Sequence, residues 1–189
     1  MYPKRRFAVS TVIGMLIFIA AINTAGIITL STPPAFAAQG QKFTAVLTGQ
    51  NEVPPKNTKA TGSFEIELSA DGSISNYILN VANINNVISA HIHEGGKGVN
   101  GPIIQTLYPF HPRGLPVDPK SLINGTITNG TLSKGRVYTD LFEGPFVGKH
   151  ISDLIKLIND GKAYVNVHTT QNPQGEIRGQ LSNAAKGNV

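Results

Sequence analysis

An all-β fold is what this sequence predicts: an antiparallel, Greek-key-like β-sandwich or partly closed barrel, with one short helix. Three observations carry that expectation. Short runs of alternating apolar and polar residues recur after position 40. Turn-forming residues separate them, the chain holding 20 glycines and 12 prolines in 189 residues. Only one segment has convincing helical spacing, whereas a parallel sheet needs a crossover between its strands, usually a helix.

Residues 1–38 stand apart from that fold. Lys4, Arg5 and Arg6 precede a long apolar run, and Ala35-Phe36-Ala37 places small residues where a signal peptidase reads. The 23 residues from position 8 to 30 are also long enough to cross a bilayer as a helix. The leader is therefore expected to be either a cleaved signal peptide or a retained N-terminal membrane anchor. In both cases the body lies outside the cytoplasm, because the basic end stays inside.

Within the body, QKFTAVLTG (41–49) alternates, with Phe43, Ala45 and Leu47 on one face. NEVPPKNTKATG is a loop, since two prolines remove backbone donors. GSFEIEL (62–68) turns Phe64, Ile66 and Leu68 inward and Glu65 and Glu67 outward. Asp71-Gly72 is a tight-turn pair, and ISNYILNV (74–81) returns as the partner strand. A polar link, NINN, leads to a strand over 87–93, and 103–107 is another short apolar run. The stretch that follows, rich in Pro, Gly and Asn, predicts little regular structure before Gly125. Phe142 and Phe146 read as core or as a loop surface for a partner. The helix is ISDLIKLIN (151–159), with Leu154, Ile155 and Ile158 on one face, His150 or Ser152 near its start, and Gly161 behind it. AYVNVH (163–168) and EIRGQL (176–181) are strands joined by the turn Asn172-Pro173-Gln174-Gly175. One domain over 41–182 follows, with a flexible tail from 183 to 189.

Composition narrows the chemistry. Three of the 16 basic residues lie in the leader, leaving 13 against 11 acidic ones, so a net +2 gives no reason to expect a nucleic-acid partner. There is no cysteine, hence no disulfide and no thiolate nucleophile. No nucleophile elbow, zincin helix or phosphate loop occurs, and no catalytic residue is assigned. Asn124 and Asn129 fit the N-glycosylation pattern.

The histidines are the remaining signal. In the period-two strand 88–93, Ile88, Ala90 and Ile92 are expected inward, with Ser89, His91 and His93 on the other face. In 163–168, Val165 and Val167 point inward, while Tyr164, Asn166 and His168 share the opposite face. AHIHEGGKGVNGPIIQTL and VNVHTTQNPQGEIRGQL also read as weak copies of one hairpin, with His93 over His168 and His91 over Asn166. If the two strands are neighbours, His91, His93 and His168 form a candidate set of imidazole ligands for copper or zinc, with Asn166 beside them. Glu94 and Asp140 are candidates to orient the rings. Gly95, Gly101, Pro102, Pro173 and Gly175 are the expected turn residues. The alternative is a structural polar cluster: imidazoles hydrogen-bonded across glycine-rich turns without an ion. Glu176 and Arg178 share the polar face of the last strand and are expected to be structural.

Three stretches, FTAVLTGQNEVPP, AHIHEGGKGVNGPI and AYVNVHTTQNPQGEIRGQL, resemble the CHRD domain, the module repeated in chordin and found singly in microbial exported proteins. The matching positions are Gly49, Glu52, Val53 and Pro54; His91, His93, Gly95, Gly101 and Pro102; and Tyr164, Asn166, His168, Thr169, Pro173, Gly175, Glu176, Ile177, Arg178 and Gly179. The resemblance implies an extracellular β-rich binding or structural module without established catalysis. Its partner would be an extracytoplasmic protein or cell-surface component, not the growth factor that chordin sequesters. AHIHEG is also similar to the strand that supplies copper ligands in copper–zinc superoxide dismutase, a Greek-key barrel. That enzyme's zinc-ligand histidines and cysteines have no counterpart here, so the likeness implies a superoxide-dismutase-like fold and a copper or zinc site as the alternative function, not dismutase activity.

Overall fold

The computed structural model describes residues 40–109 and 127–186. The leader, His111, Asn124 and the last three residues lie outside them. Among the described residues, the strands are β1 Gln41–Thr48, β2 Thr61–Leu68, β3 Ser75–Asn85, β4 Val87–Glu94, β5 Ile103–Tyr108, β6 Ile127–Arg136, β7 Ala163–Thr169, β8 Ile177–Gln180 and β9 Ser182–Asn183; the one α-helix, α1, is Ile151–Asn159. All pairings are antiparallel, in the order β5-β4-β7-β8-β1-β2-β3-β6, with β9 appended to β1. The sheet curls into a nearly closed barrel, the second of the two architectures expected. Among the described residues no helix is long and apolar enough to cross a membrane.

The alternation read from the sequence fills the barrel. Phe43, Leu47, Phe64, Ile66, Leu79, Ile92, Val165, Val167 and Ile177 are all essentially buried. Phe142 and Phe146 join this core edge to face, their ring centroids 5.4 Å apart. Helix α1 adds Ile151, Leu154, Ile155 and Ile158. His150 is its N-cap residue, and the Asp153 carboxylate accepts the His150 N–H at 2.8 Å. Gly161 ends the helix at φ +68°.

Three expectations change, and one strand is added. NINN is not a link: β3 runs on to Asn85 through a bulge where Asn83 takes φ +54°, a left-handed conformation that asparagine tolerates. Ile88 does not face the core. A register shift between Val87 and Ser89 puts Val87 inside, 1 % exposed, and leaves Ile88 36 % exposed. β6 was hidden in ITNGTLSKGR because Ile127 and Leu132 are its only large apolar residues; it is a strand by its ladder to β3, not by its side-chain pattern. The tail expected from Asn183 is corrected for its first residues, since Ser182 and Asn183 pair with Thr44 and Phe43, and Ala184–Lys186 form a 3-10 turn.

Candidate metal centre

β4 and β7 are antiparallel neighbours. Their register sets His91 opposite Asn166, His93 opposite Tyr164, and Ser89 opposite His168. Side chains on one face of a strand repeat every two residues, so His91, His93, Tyr164, Asn166 and His168 all emerge on the side away from Ile92, Val165 and Val167. That face is not left to solvent. Every residue of β7 is buried, and His93 and His168 are 7 % and 8 % exposed; His91 is half-buried.

The ring nitrogens converge. His91 Nδ1 lies 3.1 Å from His168 Nε2, and one nitrogen of each of the three rings falls within 4.8 Å of the others. Two tautomers follow from the partners. His93 Nδ1 is 2.9 Å from the Gly101 carbonyl oxygen, and His168 Nδ1 is 3.0 Å from that of Pro173. A carbonyl only accepts, so both Nδ1 atoms carry the proton and both Nε2 atoms present a lone pair. His168 Nε2 receives the His91 Nδ1–H. His93 Nε2 is buried with no hydrogen-bond partner. An unpaired buried acceptor is costly, and it marks where a ligand would be gained.

The rings are held neutral. Burial first, then the neighbouring His168 and His93, pushes His91 down to about 3. Burial likewise takes His93 to about 4, against the opposing pull of its Gly101 bond, and lowers His168. Neutral imidazole is the form that binds a metal. A backbone carbonyl on the far nitrogen is also a usual way to orient a ligating histidine. Glu94 and Asp140 do not take that role: neither bonds to a ring nor joins the cluster. Glu94 follows His93 on the strand and so faces the other way, and Asp140 sits in the 3-10 turn Thr139–Leu141.

The three nitrogens fit an ion with a small adjustment. In a tetrahedral site with bonds of about 2.0–2.1 Å, ligand nitrogens lie ~3.3–3.4 Å apart. The His91 and His168 nitrogens already stand 3.1 Å apart, and the widest separation, within 4.8 Å, must close by up to ~1.5 Å. The set is all imidazole, which suits copper and zinc and not magnesium or calcium. Bringing His91 Nδ1 onto an ion only requires its proton to move to Nε2.

The turns do what the glycine pattern implied. A Cβ on Gly101 would stand 1.7 Å from the Glu94 carbonyl oxygen, so only glycine lets the two ends of the hairpin touch. Gly175, at φ +133°, leaves room for the Asn166 amide and the Glu52 carboxylate beneath it. Pro102 accepts the Glu94 N–H, and Gly95 donates to Lys162.

A model of the CHRD domain matches residues 43–181. The chain belongs to the CHRD domain family. No curated protein and no solved structure matches it. In this CHRD domain the family-motif residues gather around the histidines in roles that the sequence had left undefined. Glu52, 4 % exposed, accepts the Asn166 amide at 2.7 Å. Its burial pushes the carboxyl up to about 7, although Arg178 and Lys56 pull the other way. Glu176 and Arg178, read as sharing the polar face of the last strand, are 7 % and 2 % exposed and are not paired with each other. Glu176 collects Thr58, Thr169 and Asn172, tying the 52–60 loop to the 169–176 turn. Arg178 stacks on Tyr164, its guanidinium carbon 3.4 Å from the ring centre, and Tyr164 in turn lies parallel to the His93 ring at 4.7 Å. A surface cavity of about 440 Å³, lined by Val46, Glu52, Lys97 and Arg178 among others, abuts this group without touching the three histidines. Sequence alone gave no signal for these roles beyond the motif matches, because each depends on contacts between segments far apart in the chain.

Proposed function

We propose that this CHRD domain is an exported binding module whose functional centre is a three-imidazole copper or zinc site made by His91 Nδ1, His93 Nε2 and His168 Nε2. One observation carries the reading: three neutral rings point nitrogens into one place, His93 and His168 with their tautomers locked by backbone carbonyls and the His93 Nε2 left without a hydrogen-bond partner. An ion would satisfy the one histidine nitrogen that the fold leaves buried without a partner. Export rests on the basic and apolar leader. With three protein ligands the ion keeps a coordination position open. That position suits a donor group from an extracytoplasmic protein or cell-surface component, and with copper it permits redox chemistry.

The test is metal content and affinity. Protein purified without a metal-affinity tag and dialysed against copper or zinc should retain one equivalent. His93→Ala and His168→Ala should each lose it while keeping the far-UV spectrum of a β protein. Because burial lowers all three rings, affinity should begin to fall at a lower pH than the usual imidazole range near 6.5. Failure to retain either metal would defeat the reading and leave the cluster structural.

A further inference from the structure

The carbonyl that fixes His93 belongs to a segment whose own backbone bonding is the Val99 N–H to the Gly96 carbonyl, at 3.1 Å. Residues 95–101, GGKGVNG, contain four glycines and no helix or strand, and a Cβ at Gly96 or Gly98 would meet nothing. Such a backbone has wide freedom, so something outside it must set the place of the Gly101 oxygen. Arg178 does this. Its Nη2 donates to the carbonyls of Gly96 and Val99, each at 2.9 Å, and its Nη1 donates to Asn100 Oδ1 at 3.0 Å. A planar fork with several fixed N–H directions can hold three acceptors at once; an ammonium holds them less firmly. Arg178 is 2 % exposed, and no carboxylate among the described residues forms an ion pair with it, so its donors are committed to this segment.

The same side chain reaches His93 by a second route. Its guanidinium lies on the Tyr164 ring, and the Tyr164 hydroxyl accepts the Gly101 N–H at 3.1 Å. The ring itself stacks on His93 with an interplanar angle of 7°. Both the Gly101 peptide and the His93 plane therefore rest on the Tyr164–Arg178 pair.

We propose that Arg178 is a positioning residue of the metal centre: by clamping segment 95–101 and stacking on Tyr164 it holds the Gly101 carbonyl on His93 Nδ1, and so decides that Nε2 is the donor facing the ion. The functional meaning rests on the three-imidazole reading above, but the arrangement is made by protein groups alone and is testable without metal. Without the clamp, the Gly101 carbonyl leaves His93, the ring proton distributes over both nitrogens, and the fraction protonated at Nε2 cannot ligate.

Long-range proton–nitrogen correlation of the imidazole rings reads which nitrogen carries the proton. In metal-free wild type, His93 and His168 should both be Nδ1–H. Arg178→Met and Arg178→Lys should both shift His93 toward the Nε2–H form and leave His168, which is held by the separate Pro173 carbonyl, unchanged. Loss in the lysine variant too would show that fork geometry, not charge, matters. Metal affinity should fall about 10–100-fold in either variant. Should neither fold, Asn100→Ala, which removes one of the three acceptors, and Tyr164→Phe, which keeps the stack and removes the hydroxyl, should move His93 in the same direction by less. His93 remaining Nδ1–H in every folded variant overturns the proposal, and so does an equal change at His168. A tautomer that responds as described in a protein that binds no metal would retain the clamp and defeat only the metal reading.

Discussion

Glu52 shows how much a single buried group can tilt the balance of this domain. Its carboxyl is raised from 4.5 to about 7 because burial opposes the charge more than Arg178 supports it. A raised acid favours the folded state while protonated, so its contribution is fully present below the unfolded pKa and is lost as pH climbs through 7. Glu52→Gln keeps an oxygen for the Asn166 amide and removes the titration. The stability of this variant relative to wild type should therefore rise between pH 4.5 and 8 by up to ~3 kcal/mol, at about 1.4 kcal/mol per pKa unit. Urea midpoints of both proteins across that range check it, and a flat difference would refute it. The lowered histidines act with the opposite sign, since unfolded rings take up protons below about 6.5 that the folded ones refuse. Comparing the two proteins cancels that term. Beyond its motif match, the sequence shows Glu52 only as a loop carboxylate close to two prolines, because burial comes from Gly175 and Asn166, more than a hundred residues away.

The hairpin β4–β5 is the element on which the site hangs. Its strands were readable from alternation, and its turn from glycine content. The bulge at Val87–Ser89 was not, since a register shift is decided by the partner strand and leaves no mark in the apolar pattern. Closure of the turn depends on Gly101. Gly101→Ala drives a methyl into the Glu94 carbonyl, a backbone atom that cannot step aside. This variant should lose about 1–3 kcal/mol or more and release His93 from its carbonyl. Gly98→Ala, where a Cβ meets nothing but φ is +78°, isolates the conformational cost from the clash. Thermal melts of the pair should rank Gly101→Ala well below Gly98→Ala, and equal melting would contradict the close approach.

At the scale of the molecule, β5 and β6 are the two ends of a sheet that almost meets itself. The gap is bridged by side chains: the Tyr77 hydroxyl and Ser133 Oγ both donate to the Leu107 carbonyl, at 3.1 and 2.7 Å. Buried carbonyls without a ladder partner need such donors. Tyr77→Phe should cost about 0.5–1.5 kcal/mol, and the double change with Ser133→Ala should cost more than the two single changes together, because the first loss leaves Leu107 one donor and the second leaves none. A double-mutant cycle by urea unfolding measures the coupling; strict additivity would mean that solvent replaces the side chains at the seam.

By itself the sequence determined the β class, most strand positions, the helix over 151–159, most inward faces and the three histidines, because each follows from local alternation, turn chemistry or residue type. Tertiary structure alone decided that β4 and β7 are neighbours, and with that which residues the histidines meet. Pairing between strands separated by some 70 residues is set by how the whole barrel closes its backbone ladders and core. The same closure buries Glu52 and Arg178 and leaves His93 Nε2 unpaired, and no short-range pattern encodes it.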